Sequence, residues 1–129
     1  MNKILVEVSV GELLDKISIL EIKKDRIKDS NKLKFISEEY EVLKNELEKN
    51  IKIDEKLAKF FTALKNVNSK LWIIEDEKRK CENDSDFGEN FIRLSRDVHF
   101  LNDKRAQIKL DINNHTGSKI KEIKEYTSY

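Results

Sequence analysis

Apolar residues recur at intervals of three and four along most of the chain, and this spacing is typical of amphipathic helices. Four such stripes occur, within residues 10–22, 33–47, 57–74 and 91–112. Polar, turn-forming stretches separate them and leave only short connections. The pattern predicts an all-α fold, an antiparallel bundle of about four helices or two helical hairpins, in a single helical domain over residues 1–129.

Capping residues stand before three of the stripes. Ser9 and Glu12 form the S-x-x-E pattern of a capping box, so we expect the first helix to begin near Val10. Asp29 or Ser30 can cap the second helix, and Asp54 can cap the third. The second helix should end near residue 50, the third near residue 81, and the fourth in "NHTGS", which supplies C-terminal signals.

The stretch "KILVEV", residues 3–8, has a different period. Ile4, Val6 and Val8 alternate with other residues, as in a β-strand with one apolar face. The pattern predicts a short N-terminal strand, which needs a partner for its backbone groups. That partner could be the tail, residues 119–129, or the same segment of a second chain; the tail could also dock as a short helix or stay mobile.

The first helix carries more apolar surface than one face can use, because Ile19 and Ile22 lie beside its main stripe. Such a helix is either central in the bundle or shared between the core and a partner chain. The second possibility makes a homodimer the expected assembly, with residues 4–22 and the second helix at the interface.

Charge and composition narrow the function. Charged residues make up 40% of the chain but balance to a net charge of +1, so we expect no nucleic-acid partner. The single cysteine, Cys81, cannot form an intramolecular disulfide, which favours the cytoplasm. No apolar run approaches the roughly 20 residues of a membrane span, so we expect no membrane contact.

Polar residues interrupt the apolar stripes at positions that should face the bundle interior. We expect them to converge at one level of the bundle, as a polar layer or as a ligand pocket. The candidates are Glu21, Asn68, Glu75, Asp76, Asn102, Asp103, Arg105 and Lys109.

One interpretation is a phosphate-binding metal site. Glu21, Glu75 and either Asp76 or Asp103 would hold a divalent cation such as Mg²⁺ through oxygen ligands, and the two basic residues of the fourth helix would bind a phosphate. The other interpretation, which we favour, is a salt-bridged layer in which Arg105 pairs with Glu75 or Glu21 and sets the register of the helices.

Four segments carry a resemblance: "SVGELLDKISILEIK", "LWIIEDE", "FIRLSRDVHFLNDKRAQIKLDIN" and "GSKIKEIKEY". Together they resemble a family of short bacterial and phage proteins known only as a domain of unknown function. The resemblance implies one compact all-α domain and transfers no catalytic role to any position. We therefore expect a non-enzymatic interaction or assembly module. The alternative is a metal-dependent hydrolase or a binding protein for a nucleotide or another phosphorylated small molecule.

Overall fold

A computed structural model describes residues 2–129 of the chain. Over this range the chain forms four helices: α1 (Val10–Arg26), α2 (Ser30–Asn50), α3 (Glu55–Asn83) and α4 (Glu89–Thr116). The predicted all-α bundle is confirmed. None of these four helices combines the length and the apolar character needed to cross a membrane, as far as residues 2–129 go.

The predicted capping residues begin α1, α2 and α3, and the predicted C-terminal signal ends α4. Ser9 Oγ accepts a hydrogen bond from the Glu12 N–H at 3.0 Å, and Asp54 Oδ1 accepts one from the Leu57 N–H at 2.7 Å. Asp29, rather than Ser30, caps α2. At the end of α4 the chain turns through a glycine, Gly117, whose φ of 68° is the left-handed conformation that terminates helices.

The first helix lies at the centre of the bundle. It packs against α2, α3 and α4, whereas α2 packs only on α1. Its stripe residues Leu14, Ile17 and Leu20, and Ile22 beside the stripe, are each at most 3% exposed. Of the two explanations for the apolar excess of this helix, the structure favours the central position, because the bundle itself covers that surface.

The helices α3 and α4 form a long hairpin. Near its open end the rings of Phe60 and His115 meet edge to face, and near its loop the amide of Asn90 contacts the sulfur of Cys81. The main core joins this hairpin to α1 and α2. It is built from Leu14, Ile17, Leu47, Leu57, Leu64, Val67, Ile108 and Ile112.

The predicted N-terminal strand is wrong for the chain taken alone. No strand occurs within residues 2–129, and residues 2–9, which we call the N-terminal segment, are neither helical nor paired with another strand. The tail, residues 119–129, lies along α4 instead, where Glu122 contacts Lys109 and Tyr129 contacts Asp103. A strand needs a neighbouring backbone, and within this chain nothing in the described range supplies one.

Candidate functional site: a buried ion-pair layer

The polar centre of the bundle is Asp15, a carboxylate on the central helix that is 1% exposed. Arg105 of α4 binds it through both carboxylate oxygens, with Nε 3.0 Å from Oδ1 and Nη2 on Oδ2. This two-pronged contact matches the planar guanidinium to the planar carboxylate. A single α1 side chain therefore anchors α4 to the middle of the bundle.

A second helix reaches the same carboxylate through Asn68 of α3. The Asn68 amide nitrogen donates to Asp15 Oδ1 and to Ser18 Oγ, both at 2.8 Å. Ser18 Oγ in turn donates to the backbone carbonyl of Asp15 at 2.8 Å. Among the described residues no buried side-chain nitrogen or oxygen lacks a partner, so this network carries no unpaired desolvated group.

Lys109, one turn beyond Arg105 on α4, completes the layer. Its ammonium nitrogen lies 2.7 Å from Glu12 Oε2, 3.0 Å from Glu122 Oε2 and 3.7 Å from Asp15 Oδ2. Glu12 comes from α1 and Glu122 from the tail, so one lysine ties both to α4. We call the seven residues of this network the ion-pair layer: Glu12, Asp15, Ser18, Asn68, Arg105, Lys109 and Glu122.

The environment of the layer favours the charged forms of Asp15, Arg105 and Lys109. Burial alone would raise the pKa of Asp15, but the hydrogen bonds from Arg105 and Asn68 and the nearby positive charges outweigh it, and the pKa is lowered. The hydrogen bond with Asp15 raises the pKa of Arg105. Burial opposes the charge of Lys109, yet its bonds with Glu12 and Glu122 raise its pKa. Asp15, Arg105 and Lys109 are therefore ionised at neutral pH.

The backbones of α1 and α4 approach closely beside the layer. The Gly11 N–H donates to Asn113 Oδ1 at 2.7 Å, and a Cβ built on Gly11 would lie 2.6 Å from the Lys109 carbonyl oxygen. The Val10 N–H donates to Ser118 Oγ at 3.3 Å. Glycine at position 11 thus permits the approach that places Glu12 and Asp15 next to the α4 cations.

Three of the eight predicted layer residues lie in the observed layer: Asn68, Arg105 and Lys109. Asn102 is half-buried and Glu21 lies beside the layer. There Glu21 accepts hydrogen bonds from Tyr40 at 3.1 Å and from Lys65 at 3.0 Å, which joins α1 to α2 and α3.

The other predicted acids lie outside the layer. Glu75 is two turns beyond Asn68, about 10 Å along α3, and pairs with Arg79 at 3.2 Å on the surface. Asp76 is exposed and pairs with Lys80 in the same way, and the exposed Asp103 contacts the tail. The predicted pairing of Arg105 with Glu75 or Glu21 is wrong, because the Arg105 guanidinium binds Asp15 instead.

The predicted metal ligands do not come together. Glu21 faces Tyr40 and Lys65, Glu75 faces Arg79, and Asp103 lies on the outer side of α4. Across residues 2–129 there is no group of three or more His, Cys, Asp or Glu side chains arranged to hold a metal ion. The proximity that the spacing predicted for these acids is therefore wrong.

Sequence reasoning missed the central carboxylate, together with Glu12, Ser18 and Glu122. One signal could have found Asp15. It directly follows the core residue Leu14 in a helix whose apolar positions cover more than half of its circumference. When such a helix is central in the bundle, a charged residue on this broad apolar surface is buried, and a buried carboxylate needs a cation beside it.

The fold and the layer define a class: a small all-α bundle whose interior holds a charge-compensated polar network. The chain belongs to a family of unknown function, DUF6165, whose family model matches residues 4–129. The resemblance to a domain of unknown function is confirmed, and a bacterial or phage origin stays a prediction. No curated protein and no solved structure matches the chain.

Proposed function

We propose that this protein is a non-enzymatic assembly module whose single domain, residues 1–129, forms a homodimer. The observation that carries the proposal is the exposure of the N-terminal segment. Ile4, Leu5 and Val6 are 85%, 83% and 75% exposed, although they are apolar and consecutive. Burying such side chains stabilises a protein, and a second chain can bury them at an interface.

The ion-pair layer supports a structural role rather than a catalytic one. Its two cations, Arg105 and Lys109, face three carboxylates within 4.0 Å, those of Glu12, Asp15 and Glu122. A phosphate arriving there would have to displace a carboxylate and would still meet the remaining negative charges. A network already satisfied in this way fixes the register of the helices and needs no ligand.

The interface in this proposal differs from the one expected from sequence. The apolar surplus of α1 is buried within the bundle. Of residues 4–22, only those of the N-terminal segment therefore remain available for the dimer interface. The peripheral helix α2 offers a second surface, because Phe35 is 72% and Val42 is 58% exposed. We propose that the dimer is cytoplasmic, because its cysteine is unpaired, and that it binds no nucleic acid, because its charges balance.

Light scattering coupled to size exclusion tests the proposal. The wild-type chain should elute at twice its mass of 15.3 kDa, and Ile4→Ser combined with Val6→Ser should elute as a monomer. Ile73→Ser is the matched control, because Ile73 is 43% exposed on α3, far from the N-terminal segment in sequence. A wild-type monomer at all concentrations up to about 100 µM would contradict the proposal, since even weak specific dimers form in that range.

The second candidate function is binding or hydrolysis of a nucleotide or another phosphorylated compound, with Mg²⁺ as a possible cofactor. What favours it is a shallow groove between α4 and the tail, lined in part by Lys109, Lys124 and Tyr126. Thermal shifts with Mg²⁺, Mn²⁺ and nucleotides separate the two functions. A ligand at 100 times its Kd adds about 2.7 kcal/mol of stability, and the assembly module should show no such shift.

A further inference from the structure

We propose that the N-terminal segment pairs with the same segment of a second copy as an antiparallel two-stranded ribbon, centred on Leu5. The inference rests on the proposed function, because it names how the dimer forms. In this register residue 5 faces residue 5 of the second copy, residue 4 faces residue 6, and residue 3 faces residue 7. Such an interface is isologous, since each chain contributes the same surface.

The charges of the segment select this register. Lys3 of each copy lies opposite Glu7 of the other, so the ribbon contains two opposite-charge pairs related by symmetry. Directly opposed charges of opposite sign stabilise a pair of strands, and like charges destabilise it. An in-register parallel pair would instead place Lys3 against Lys3 and Glu7 against Glu7.

The apolar residues fit the same register. Ile4 opposes Val6 of the second copy on one face of the ribbon, where β-branched side chains pack well. Leu5 opposes its own counterpart on the other face, between the charged pairs. The ribbon thus brings the three most exposed apolar side chains of the segment into cross-strand contact and pairs backbone groups that have no partner strand within the described chain.

The connection to the bundle also requires the antiparallel arrangement. Ser9 is buried and caps α1, which begins at Val10. Paired strands lie about 4.8 Å apart, whereas packed helices need 8–10 Å between their axes. A parallel ribbon would force two α1 helices together only two residues beyond Val8. An antiparallel ribbon places the two bundles at opposite ends, because it separates the two Val8 residues by about 20 Å along the strands.

Reversing the two charges tests the pairing. In its homodimer Lys3→Glu places two carboxylates opposite each other in both charged pairs, and Glu7→Lys places two ammonium groups opposite each other. Each variant alone should raise the dimer Kd about tenfold, because two attractive pairs become repulsive. An equimolar mixture should recover the wild-type Kd, because both facing pairs of the mixed dimer then join opposite charges. The chain that carries both changes should recover the wild-type Kd as well.

The mixed dimer has a defined charge arrangement. Where the Lys3→Glu chain meets the Glu7→Lys chain, both facing pairs join a carboxylate to an ammonium group. The two segments of this mixed dimer also carry opposite net charges and would attract each other in any register, so the mixture alone tests net charge rather than pairing. The double variant Lys3→Glu with Glu7→Lys is the decisive sample, since each of its facing pairs again joins a carboxylate to an ammonium group. Its Kd should equal that of the wild type.

Sedimentation equilibrium on each sample gives the Kd, with circular dichroism to verify the helical content. Lys28→Glu and Glu77→Lys are the matched controls, since they make the same charge changes at exposed positions outside the N-terminal segment and the exposed face of α2. Weakening by each single variant with recovery in the double variant supports the ribbon. A dimer that ignores both charge changes overturns the ribbon and leaves the proposed homodimer standing. A wild-type monomer overturns both.

Cysteine cross-linking gives an independent measure of the register. On a Cys81→Ala background, Leu5→Cys should form a disulfide-linked dimer under mild oxidation, because residue 5 faces its counterpart across the two-fold axis. Ile4→Cys alone should cross-link poorly, and a mixture of Ile4→Cys and Val6→Cys chains should cross-link well. Equal cross-linking of Leu5→Cys and Ile4→Cys would overturn the register.

Discussion

Asp15 is a carboxylate within the bundle interior, where an unpaired charge would cost several kcal/mol. It is stable there because Arg105 and Asn68 donate to it and because Lys109 lies 3.7 Å away. The residue therefore connects three helices through one functional group. Asp15 stabilises the fold only together with its partners. Removing its carboxylate should leave the charges of Arg105 and Lys109 partly uncompensated in the bundle interior and lower the free energy of unfolding.

Replacing Asp15 with Asn tests this role. The change keeps the size of the side chain but leaves Arg105 and Lys109 short of one negative charge. We expect a loss of about 3 kcal/mol in the free energy of unfolding measured by urea denaturation. The matched control is Glu75→Gln, whose exposed pair with Arg79 should contribute less than about 0.5 kcal/mol. Equal losses in the two variants would refute the central role of Asp15.

Gly11 permits a close approach of two backbones. In Gly11→Ala the new Cβ would lie 2.6 Å from the Lys109 carbonyl oxygen, so α1 and α4 must separate. We expect a loss of about 1–3 kcal/mol, the usual range for overpacking. Gly88→Ala is the control, because its nearest contact of 3.4 Å is with the Asp86 side chain. The two melting temperatures should differ by several degrees, and identical values would refute the account.

At the scale of helices, α1 differs from the other three because every other helix packs on it. The peripheral α2 has a single buried residue, Leu47, and packs on α1 alone. Local opening should therefore be easier at α2 than at α1, since fewer buried contacts oppose it. The long α3–α4 hairpin supplies the surface on which α1 rests.

A pair of truncations measures this difference. Ile17→Ala on α1 removes a side chain that is 1% exposed, and we expect a loss of about 2–5 kcal/mol. Val42→Ala on α2 removes one that is 58% exposed, and in the monomer the loss should be below about 0.5 kcal/mol. Chemical denaturation of both variants, at a concentration where the chain is monomeric, gives the comparison. A large effect at Val42 in the monomer would contradict the peripheral position of α2.

At the scale of the whole molecule, the ion-pair layer predicts how stability depends on pH. The pKa values of Asp15 and Glu122 lie below their ordinary values, so folding favours their ionised forms. That stability is present above the ordinary carboxyl pKa near 4 and is lost as the pH falls through the lowered values. Acid should therefore unfold the bundle below about pH 4.

Urea denaturation from pH 7 to pH 3 checks this dependence. The wild-type free energy of unfolding should fall steeply below about pH 4, and that of Asp15→Asn should fall less, because its side chain cannot titrate. Glu75→Gln again serves as the control and should keep the wild-type slope. Parallel curves for Asp15→Asn and the wild type would show that another group carries the acid response.

Much of the helical architecture could be predicted from sequence, because its signals are local. The side chains of Ser9 and Asp54 cap backbone N–H groups within three residues of their positions. The left-handed turn at Gly117 requires only the backbone freedom of glycine. The apolar spacing of each helix is equally local. These local contacts do not depend on which other helices each helix packs against. The helix bounds and the all-α class therefore follow from the sequence alone.

Only the tertiary structure decided which charges meet. Arg105 could have paired with any of several acids, and it pairs with Asp15 because α1 lies in the middle and crosses α4 through Gly11. Glu75 has the spacing of a layer residue but lies beyond the region that α1 covers. The N-terminal segment, likewise, has the pattern of a strand but no neighbour in its own chain. Burial and pairing depend on distant residues, and periodicity along the sequence does not record them.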